Sequence, residues 1–256
     1  MAKRTVIANW KMHGSRAEAR ALARGVRRLL NNRFAAVEVV LAPPLTSLEV
    51  VRQAVEGSRL LLCAQNLHWQ PQGAFTGEVG ADMLRDAGCS HVIVGHSERR
   101  RLFGETNAES GRKVAAALDA SLKPVLCIGE TLEQRGGGRT WRTLSAQLSG
   151  ALKSVPKSVS GSLAVAYEPV WAIGTGKNAT PTQVMEAHGW IRRALKRRFG
   201  PSEAARIPIL YGGSVNPANA PDLARVPEVD GTLVGGASLE HRSFAAIVGA
   251  FSEREG

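Results

Sequence analysis

Residues 162–183 read SLAVAYEPVWAIGTGKNATPTQ, a strand, a loop and a helix start in succession. The apolar run that ends at Tyr167 is typical of a buried strand. Farther on, Thr180, Pro181 and Gln183 have the pattern of a helix cap, first helical position and capping box. Glu168 therefore lies where a buried strand ends, and a loop with two glycines leads to a helix. Such a loop can act as a hinged lid, although an ordinary connection with a solvated glutamate is the alternative.

The same order of an apolar strand followed by a helical stretch recurs along the chain. The apolar runs cover residues 5–8, 37–41, 60–64, 91–94, 124–128, 163–167, 207–211 and 232–234. Helix-like stretches such as 108–120 and 141–153 lie between them. Apolar strands that alternate with helices predict a parallel sheet covered on its outside. We therefore expect an α/β protein with a closed eight-stranded parallel (β/α)8 barrel, formed by residues 1–256 as a single domain.

Composition and motifs disfavour several classes of protein, among them membrane, secreted, zinc-binding and dinucleotide-binding proteins. No apolar run approaches the ~18 residues of a membrane helix, so we expect no membrane partner. The N-terminus shows no secretory signal. The three cysteines, Cys63, Cys89 and Cys127, are odd in number and widely spaced. They fit neither a disulfide framework nor a zinc site, which favours a reduced, cytoplasmic location. No Gly-x-Gly-x-x-Gly follows the first strand, which disfavours a dinucleotide-binding fold.

The net charge of +11 is large, and much of it lies on two helical stretches. In the first, arginines share one face opposite an apolar stripe: Arg16, Arg20, Arg24 and Arg27 against Leu22, Val26, Leu29 and Leu30. In the second, basic residues surround an apolar set: Arg192, Arg193, Lys196, Arg197 and Arg198 around Ile191, Ala194 and Leu195. This pattern predicts the outer faces of packed helices. Because no recognised binding motif accompanies the charge, we expect no nucleic-acid partner, and the size of the charge stays unexplained.

A barrel of this kind places its chemistry at the carboxyl ends of the strands. Polar or glycine-rich segments follow five of the eight runs: Asn9 and Lys11, His96 and Glu98, Glu168, Gly212-Gly213-Ser214, and Gly235-Gly236. Asn9 and Lys11 stand two residues apart, which predicts that they point to the same side of a strand end. Each could be a surface or structural residue on its own, but their gathering at one rim favours a site.

These residue types suit proton transfer next to a bound anion. A shielded Glu168 can act as a general base, and a neutral His96 at a helix N-terminus can donate a hydrogen bond to a carbonyl oxygen. Lys11 supplies a positive charge, Asn9 an amide, and Glu98 a partner for Lys11. The glycine turns, with Gly174 and Ser214, permit a phosphate to approach the backbone closely, although tight turns alone are the alternative.

Five segments carry a resemblance to a known family: Ala8–Met12, Gly95–Arg100, Ala166–Gly176, Tyr211–Val215 and Leu233–Ala237. The sequence resembles the triosephosphate isomerase family along essentially its whole length. The resemblance implies a TIM barrel that interconverts dihydroxyacetone phosphate and D-glyceraldehyde 3-phosphate in glycolysis and gluconeogenesis, without metal or cofactor. It also implies the family's established roles. Glu168 would shuttle the proton, His96 would polarise the carbonyl group, and Asn9 and Lys11 would bind the substrate.

Further roles follow from the same resemblance. Gly174, Ser214, Gly235 and Gly236 would hold the phosphate, Glu98 would support Lys11, and Tyr211 would meet the closed lid. The family is also homodimeric, and residues 65–78 match its intersubunit loop. That loop would place Phe75 and Thr76 near the neighbouring subunit, with Leu67 and Trp69 as further apolar groups for the partner to bury. His13 departs from the family pattern, where asparagine is the more usual residue.

Two other interpretations remain open on the sequence. A different phosphate-binding barrel, such as a ribose-phosphate or indole-precursor enzyme, would share the glycine turns but would not need Glu168 and His96 together. A nucleic-acid-binding protein on a barrel scaffold would explain the charge, and its binding would depend steeply on salt.

Overall fold

The computed structural model describes residues 2–30, 34–159, 161–173 and 179–252. Each apolar run forms a strand: β1 Arg4–Asn9, β2 Val37–Ala42, β3 Leu61–Ala64, β4 His91–Val94, β5 Lys123–Ile128, β6 Ala164–Tyr167, β7 Ile209–Tyr211 and β8 Gly231–Val234. Each strand pairs in parallel with the next, and β1 also pairs with β8, so the sheet closes into a barrel. The predicted fold class is confirmed.

Helices surround this barrel and connect its strands. They are α1 Arg16–Leu30, α2 Leu48–Val55, α3 Ala81–Asp86, α4 Ser97–Phe103, α5 Asn107–Asp119, α6 Leu132–Gly136, α7 Thr140–Leu152, α8 Pro181–Phe199, α9 Pro201–Ala204, α10 Ala220–Arg225 and α11 His241–Ser252. The predicted start of α8 is confirmed, because the Thr180 side chain accepts from the Gln183 backbone and Pro181 opens the helix. Such caps satisfy amide groups that a helix end leaves without partners.

The apolar residues form two layers, as expected for strands buried on both faces. The inner layer fills the barrel with side chains from alternate strand positions, including Ile7, Val40, Ile93, Val125 and Leu210. The outer layer joins the opposite strand faces to the helices, and it contains the fully buried rings of Tyr167 and Tyr211. These two layers fix the height and direction of every strand end, which is where the candidate residues lie.

One prediction about the basic helix α8 is wrong. Arg192 does not lie on the outer face but is 5% exposed. Its Nε donates to Glu228 at 2.7 Å and its Nη2 to Asp230 at 2.6 Å. The guanidinium turns inward because these two carboxylates, distant in sequence, compensate its burial.

The three cysteines are free and buried. Among the residues the structure describes, no helix is both long and apolar enough to cross a bilayer.

Candidate active site

A cavity of about 240 Å³ opens at the carboxyl ends of the strands. The structure gathers there most of the residues predicted to be functional, and they line the cavity together: Asn9, Lys11, His96, Glu168, Ser214, Gly235 and Gly236. Gly174 belongs to the same predicted set but lies outside the described residues. The cavity is thus built from loops after β1, β4, β6, β7 and β8.

Glu168 directly follows β6 and is only 1% exposed. The backbone N–H of Ser97 donates to its Oε2 at 2.8 Å, and its Oε1 lies 2.9 Å from Nε2 of His96. A side chain at Gly212 would put a Cβ 2.9 Å from Cγ of Glu168, so glycine leaves the room that this carboxylate occupies. The carboxylate of Glu168 is therefore shielded from water and held at both oxygens.

His96 is the N-cap of α4, and its Nδ1 accepts a hydrogen bond from the Glu98 backbone N–H at 3.2 Å. A ring nitrogen that accepts carries no proton, so the proton of the neutral imidazole lies on Nε2, which faces the cavity. Burial opposes a charge on this ring, but the adjacent Glu168 carboxylate outweighs burial and raises the pKa of His96 in this arrangement. The amide Nδ2 of Asn9 lies 3.4 Å from the same Nε2.

Lys11 reaches the cavity by a route that the sequence did not predict. Strand β1 ends at Asn9, and Lys11 has a left-handed backbone with φ of 50°. Strand alternation is therefore the wrong reason for its direction. Oδ1 of Asn9 accepts from the Lys11 backbone N–H at 3.0 Å, and Gln65 donates to the Lys11 carbonyl at 2.8 Å. These two contacts hold the turn that aims the ammonium group.

The predicted partnership of Lys11 and Glu98 is present, with Nζ donating to Oε1 at 2.6 Å. Partial burial raises the pKa of Glu98, but the hydrogen bond from Lys11 and the charges of His96 and Lys11 outweigh it, so the pKa is lowered overall. Glu98 stays ionised and keeps the ammonium of Lys11 at the cavity wall.

Glycine backbone forms a further part of the cavity wall. Gly212, Gly213, Gly235 and Gly236 line it with Ser214. A short 3-10 helix, Gly236–Leu239, begins there. A Cβ at Gly235 would lie 3.5 Å from Cε of Lys11, so the absence of a side chain keeps the space beside the lysine open. An anionic group can approach this backbone closely while it faces the Lys11 charge.

Sequence reasoning missed Glu130, which is fully buried beside the first residues of the loop after β6. Its Oε1 accepts from the Tyr167 hydroxyl at 3.1 Å and from Nε1 of Trp171 at 3.0 Å. Glu130 follows the end of β5 by two residues, so the same strand-end rule that identified Glu168 could have found it. It ties this loop to the neighbouring strand.

Tyr211 was predicted to meet the lid. Its hydroxyl interacts with the backbone of Ala179, the first residue described after Gly174–Asn178, and burial raises the pKa of Tyr211 to about 12. The hydroxyl therefore stays neutral. On the other side, Ser214 donates to the Ala172 carbonyl at 2.7 Å, so one flank of the loop contacts the end of β7 and the other contacts the segment after it.

Neither Phe75 nor Thr76 of the predicted dimer loop lines the cavity described above. Thr76 is exposed, and Phe75 is 42% exposed with its ring 4.3 Å from that of His68. Leu67 is only 1% exposed within its own chain, so the prediction that a partner would bury it is wrong. The loop carries its own small core, and Phe75 remains at its surface.

Among the described residues no three or more His, Cys, Asp and Glu side chains come together in a way that could hold a metal ion. The functional groups that line the cavity include the carboxylate of Glu168, the imidazole of His96, the amide of Asn9 and the ammonium of Lys11.

Comparisons with known proteins agree with this geometry. The family model described as triosephosphate isomerase matches residues 4–251. The triosephosphate isomerase of Chlorobium phaeobacteroides is 50% identical over 250 residues, which cover 98% of this chain and 99% of that protein. That of Citrifermentans bemidjiense is 48% identical over 248 residues, covering 97% and 98%.

A solved structure gives the same answer. The crystal structure of triosephosphate isomerase from Bartonella henselae matches with a TM-score of 0.88 and 37% identity, covering 97% of this chain and 99% of that one. The barrel, the cavity and these relatives lead to one conclusion: the chain belongs to the triosephosphate isomerase family of intramolecular aldose–ketose isomerases.

Proposed function

We propose that this protein interconverts dihydroxyacetone phosphate and D-glyceraldehyde 3-phosphate through an enediolate, as a step of glycolysis and gluconeogenesis in the cytoplasm. One observation carries the proposal. The shielded carboxylate of Glu168 and the Nε2–H of a neutral His96 face one small cavity that glycine backbone also lines. That arrangement suits removal of a proton next to a carbonyl group while an anion is held at the far side.

The reaction moves a proton from one substrate carbon to the next, and Glu168 must first be released from His96. In the unliganded arrangement the Nε2–H of His96 donates to Glu168. A substrate carbonyl oxygen takes the place of Glu168 at Nε2, which frees the carboxylate to contact the carbon acid. Glu168 removes the proton from one carbon and returns it to the neighbouring carbon. In the same conversion the hydroxyl proton passes from the oxygen that becomes the new carbonyl oxygen to the former carbonyl oxygen, so each C–H and O–H bond broken is matched by one formed.

Charge develops on the substrate oxygen during this transfer. His96 donates a hydrogen bond to it, and the Lys11 ammonium supplies a positive charge nearby. When Glu168 leaves the ring, its effect on the pKa of His96 is lost and burial remains, which favours the neutral imidazole. The backbone N–H at Nδ1 favours the same neutral form. Proton transfer of this kind needs neither a metal nor an organic cofactor.

The phosphate group would lie against Ser214, Gly235 and Gly236, with Gly174 of the loop after β6 completing the site. Asn9 would bind the substrate beside Lys11, while Glu98 positions Lys11 and Tyr211 meets the lid. Binding the phosphate through backbone groups and one lysine fixes the two reacting carbons between Glu168 and His96, which is the main benefit of a preorganised site.

We also propose that residues 1–256 act as one domain and assemble as a homodimer. A second cavity of about 780 Å³ lies beside the first and shares Asn9, Lys11 and His96 with it. Its surroundings expose large apolar groups: Met12 is 93%, Phe103 68% and Leu102 61% exposed. The loop tip of a second copy, with Phe75 and Thr76, has the size and character to cover them.

The proposal is tested by coupling dihydroxyacetone phosphate isomerisation by the purified protein to a dehydrogenase, with and without the substitution Glu168→Asp. Shortening the side chain by one methylene withdraws the carboxylate from the substrate, and we expect turnover to fall on the order of 10²-fold while KM changes little. Glu186→Asp, on the exposed face of α8, is the matched control and should leave turnover unchanged.

Solvent deuterium provides a second readout. A base that exchanges its proton with water in the enediolate complex incorporates deuterium into recovered dihydroxyacetone phosphate. Near-normal turnover of the Glu168→Asp variant would remove Glu168 as the base. Absence of any isomerisation by the intact protein would overturn the proposed function.

A further inference from the structure

Helix α1 carries a row of arginines that the proposed reaction does not use. We name as the arginine face its exposed residues Arg16, Arg20, Arg24, Arg27 and Arg28. The opposite side of the helix packs into the core through Ala19, Ala23, Val26 and Leu30. The carboxylate of α1, Glu18, turns back to accept from the backbone and hydroxyl of Ser15. No acid on this helix is therefore left to neutralise the face.

Among the described residues, most of these guanidinium groups have no hydrogen-bond or ion-pair partner. Among the described residues, Arg20, Arg24 and Arg28 form neither a hydrogen bond nor an ion pair, whereas Arg27 donates to the Ala54 carbonyl at 3.2 Å. Arg16 acts on Glu49 only at longer range, and Glu49 is already held by both nitrogens of Arg52. A cluster of like charges without partners costs free energy through mutual repulsion, and an anion would relieve that cost.

The basic helix α8 shows the contrast. Arg192 forms ion pairs with Glu228 and Asp230. Arg198 donates to the carbonyls of Leu152 and Val155. The remaining exposed cations, Arg193, Lys196 and Arg197, supply a comparable amount of free charge. They serve as an internal control for any effect of charge alone.

The arginine face is long and borders a hollow in the protein surface. Arg24, Arg27 and Arg28 border a hollow of about 350 Å³ together with Gln53 and Ala54 of α2. From Arg16 to Arg28 the face extends about 18 Å along the helix axis. A ligand that used all of it would be an extended chain of negative charges and not a single small anion.

The chemistry of the face selects the kind of chain. Guanidinium groups match phosphate oxygens with paired donors. The residues between the arginines are small, with Ala17 and Ala21 exposed, and α1 has no aromatic side chain. Bases of single-stranded nucleic acid need aromatic platforms to stack on, and α1 packs against α2 and α11, which keeps it out of a duplex groove. We propose that the arginine face is a binding surface for an inorganic polyphosphate chain.

The test measures binding of fluorescently labelled long-chain polyphosphate to the full protein by anisotropy, across a series of salt concentrations. One variant combines Arg20→Ser, Arg24→Ser and Arg28→Ser; its control combines Arg193→Ser, Lys196→Ser and Arg197→Ser, which removes the same charge from α8. We expect the first variant to bind at least about tenfold more weakly. Its salt slope should be smaller by about two, because roughly three phosphate contacts are lost. The α8 variant should stay within about twofold of the unmodified protein.

A third variant, with lysine at positions 20, 24 and 28, keeps the charge and separates binding from folding. Its binding should lie between that of the serine variant and that of the unmodified protein, because an ammonium group keeps the charge but loses the paired donors of a guanidinium, and all variants should keep full isomerase activity. Equal losses in the α1 and α8 serine variants would show diffuse charge and overturn the proposal. So would a loss in the lysine variant as large as in the serine variant, or single-stranded polyuridylate binding as tightly as polyphosphate.

Discussion

His188 should make the folded protein lose stability between pH 6.5 and pH 4. It is fully buried on α8, where its Nδ1 donates to the Glu228 carbonyl at 2.9 Å. Among the described residues its Nε2 has no partner, and the rings of Tyr167 and Tyr211 lie beside it at 5.9 and 6.5 Å. Burial lowers the pKa of His188 to about 4. The hydrogen bond to the Glu228 carbonyl acts in the opposite direction, and the charge of Arg192 lowers the pKa further.

Whether stability rises or falls with pH depends on whether the folded or the unfolded state binds the proton at His188. An unfolded histidine titrates near pH 6.5, so between pH 6.5 and 4 the unfolded chain is protonated at this residue while the folded chain is not. Stability is therefore unaffected by His188 above pH 6.5 and falls as the pH falls below it. The gap of about 2.5 units corresponds to about 3 kcal/mol in full and to about 2 kcal/mol at pH 5.

The measurement is urea unfolding of the unmodified protein and of His188→Gln at pH 7.5 and pH 5, at one protein concentration. Glutamine retains an amide donor for the Glu228 carbonyl but does not titrate. The difference in unfolding free energy between the two proteins should shift by about 2 kcal/mol in favour of the variant at pH 5. His13→Gln, at an exposed position, should show no such shift. A difference that is the same at both pH values would refute the reasoning.

Three further predictions concern the site, the dimer and the thiols. Lys11→Met should lower kcat/KM on the order of 10²- to 10³-fold in steady-state assays, because a charge at the developing oxyanion is lost; near-normal kinetics would contradict that role. Thr76→Arg should weaken the proposed dimer in sedimentation and lower activity with it, while an intact, active dimer would argue against this loop as the interface. Burial raises the pKa of every thiol, so the native protein should resist a thiol reagent that the unfolded chain consumes rapidly; fast native reaction at Cys63, Cys89 or Cys127 would be inconsistent with the structure.

Much of the barrel was predictable because its strands are buried on both faces. Such strands appear in the sequence as unbroken apolar runs, and their ends mark where side chains must meet. Glu168 and His96 could thus be placed at one rim from chain order alone. The capping box at Thr180 likewise depends on residues three apart, which a sequence shows directly.

The features that were missed depend on partners far away in the chain. Arg192 turns inward for Glu228 and Asp230, which are 36 and 38 residues distant, and helical periodicity contains no trace of them. Lys11 reaches the cavity through a left-handed backbone that Asn9 and Gln65 stabilise, and strand alternation cannot predict such a turn.

The pairing of β1 with β8 has a consequence for synthesis of the protein. The barrel closes only through that pairing. A sheet that lacks β8 has two open edges, on β1 and on β7. The cavity also draws on residues from Asn9 to Ala237, so a ribosome-bound chain lacks part of the cavity wall until its last strand emerges. Activity is therefore expected to arise in one step at the end of translation, and the growing chain must be kept from pairing its exposed edges with other chains until then.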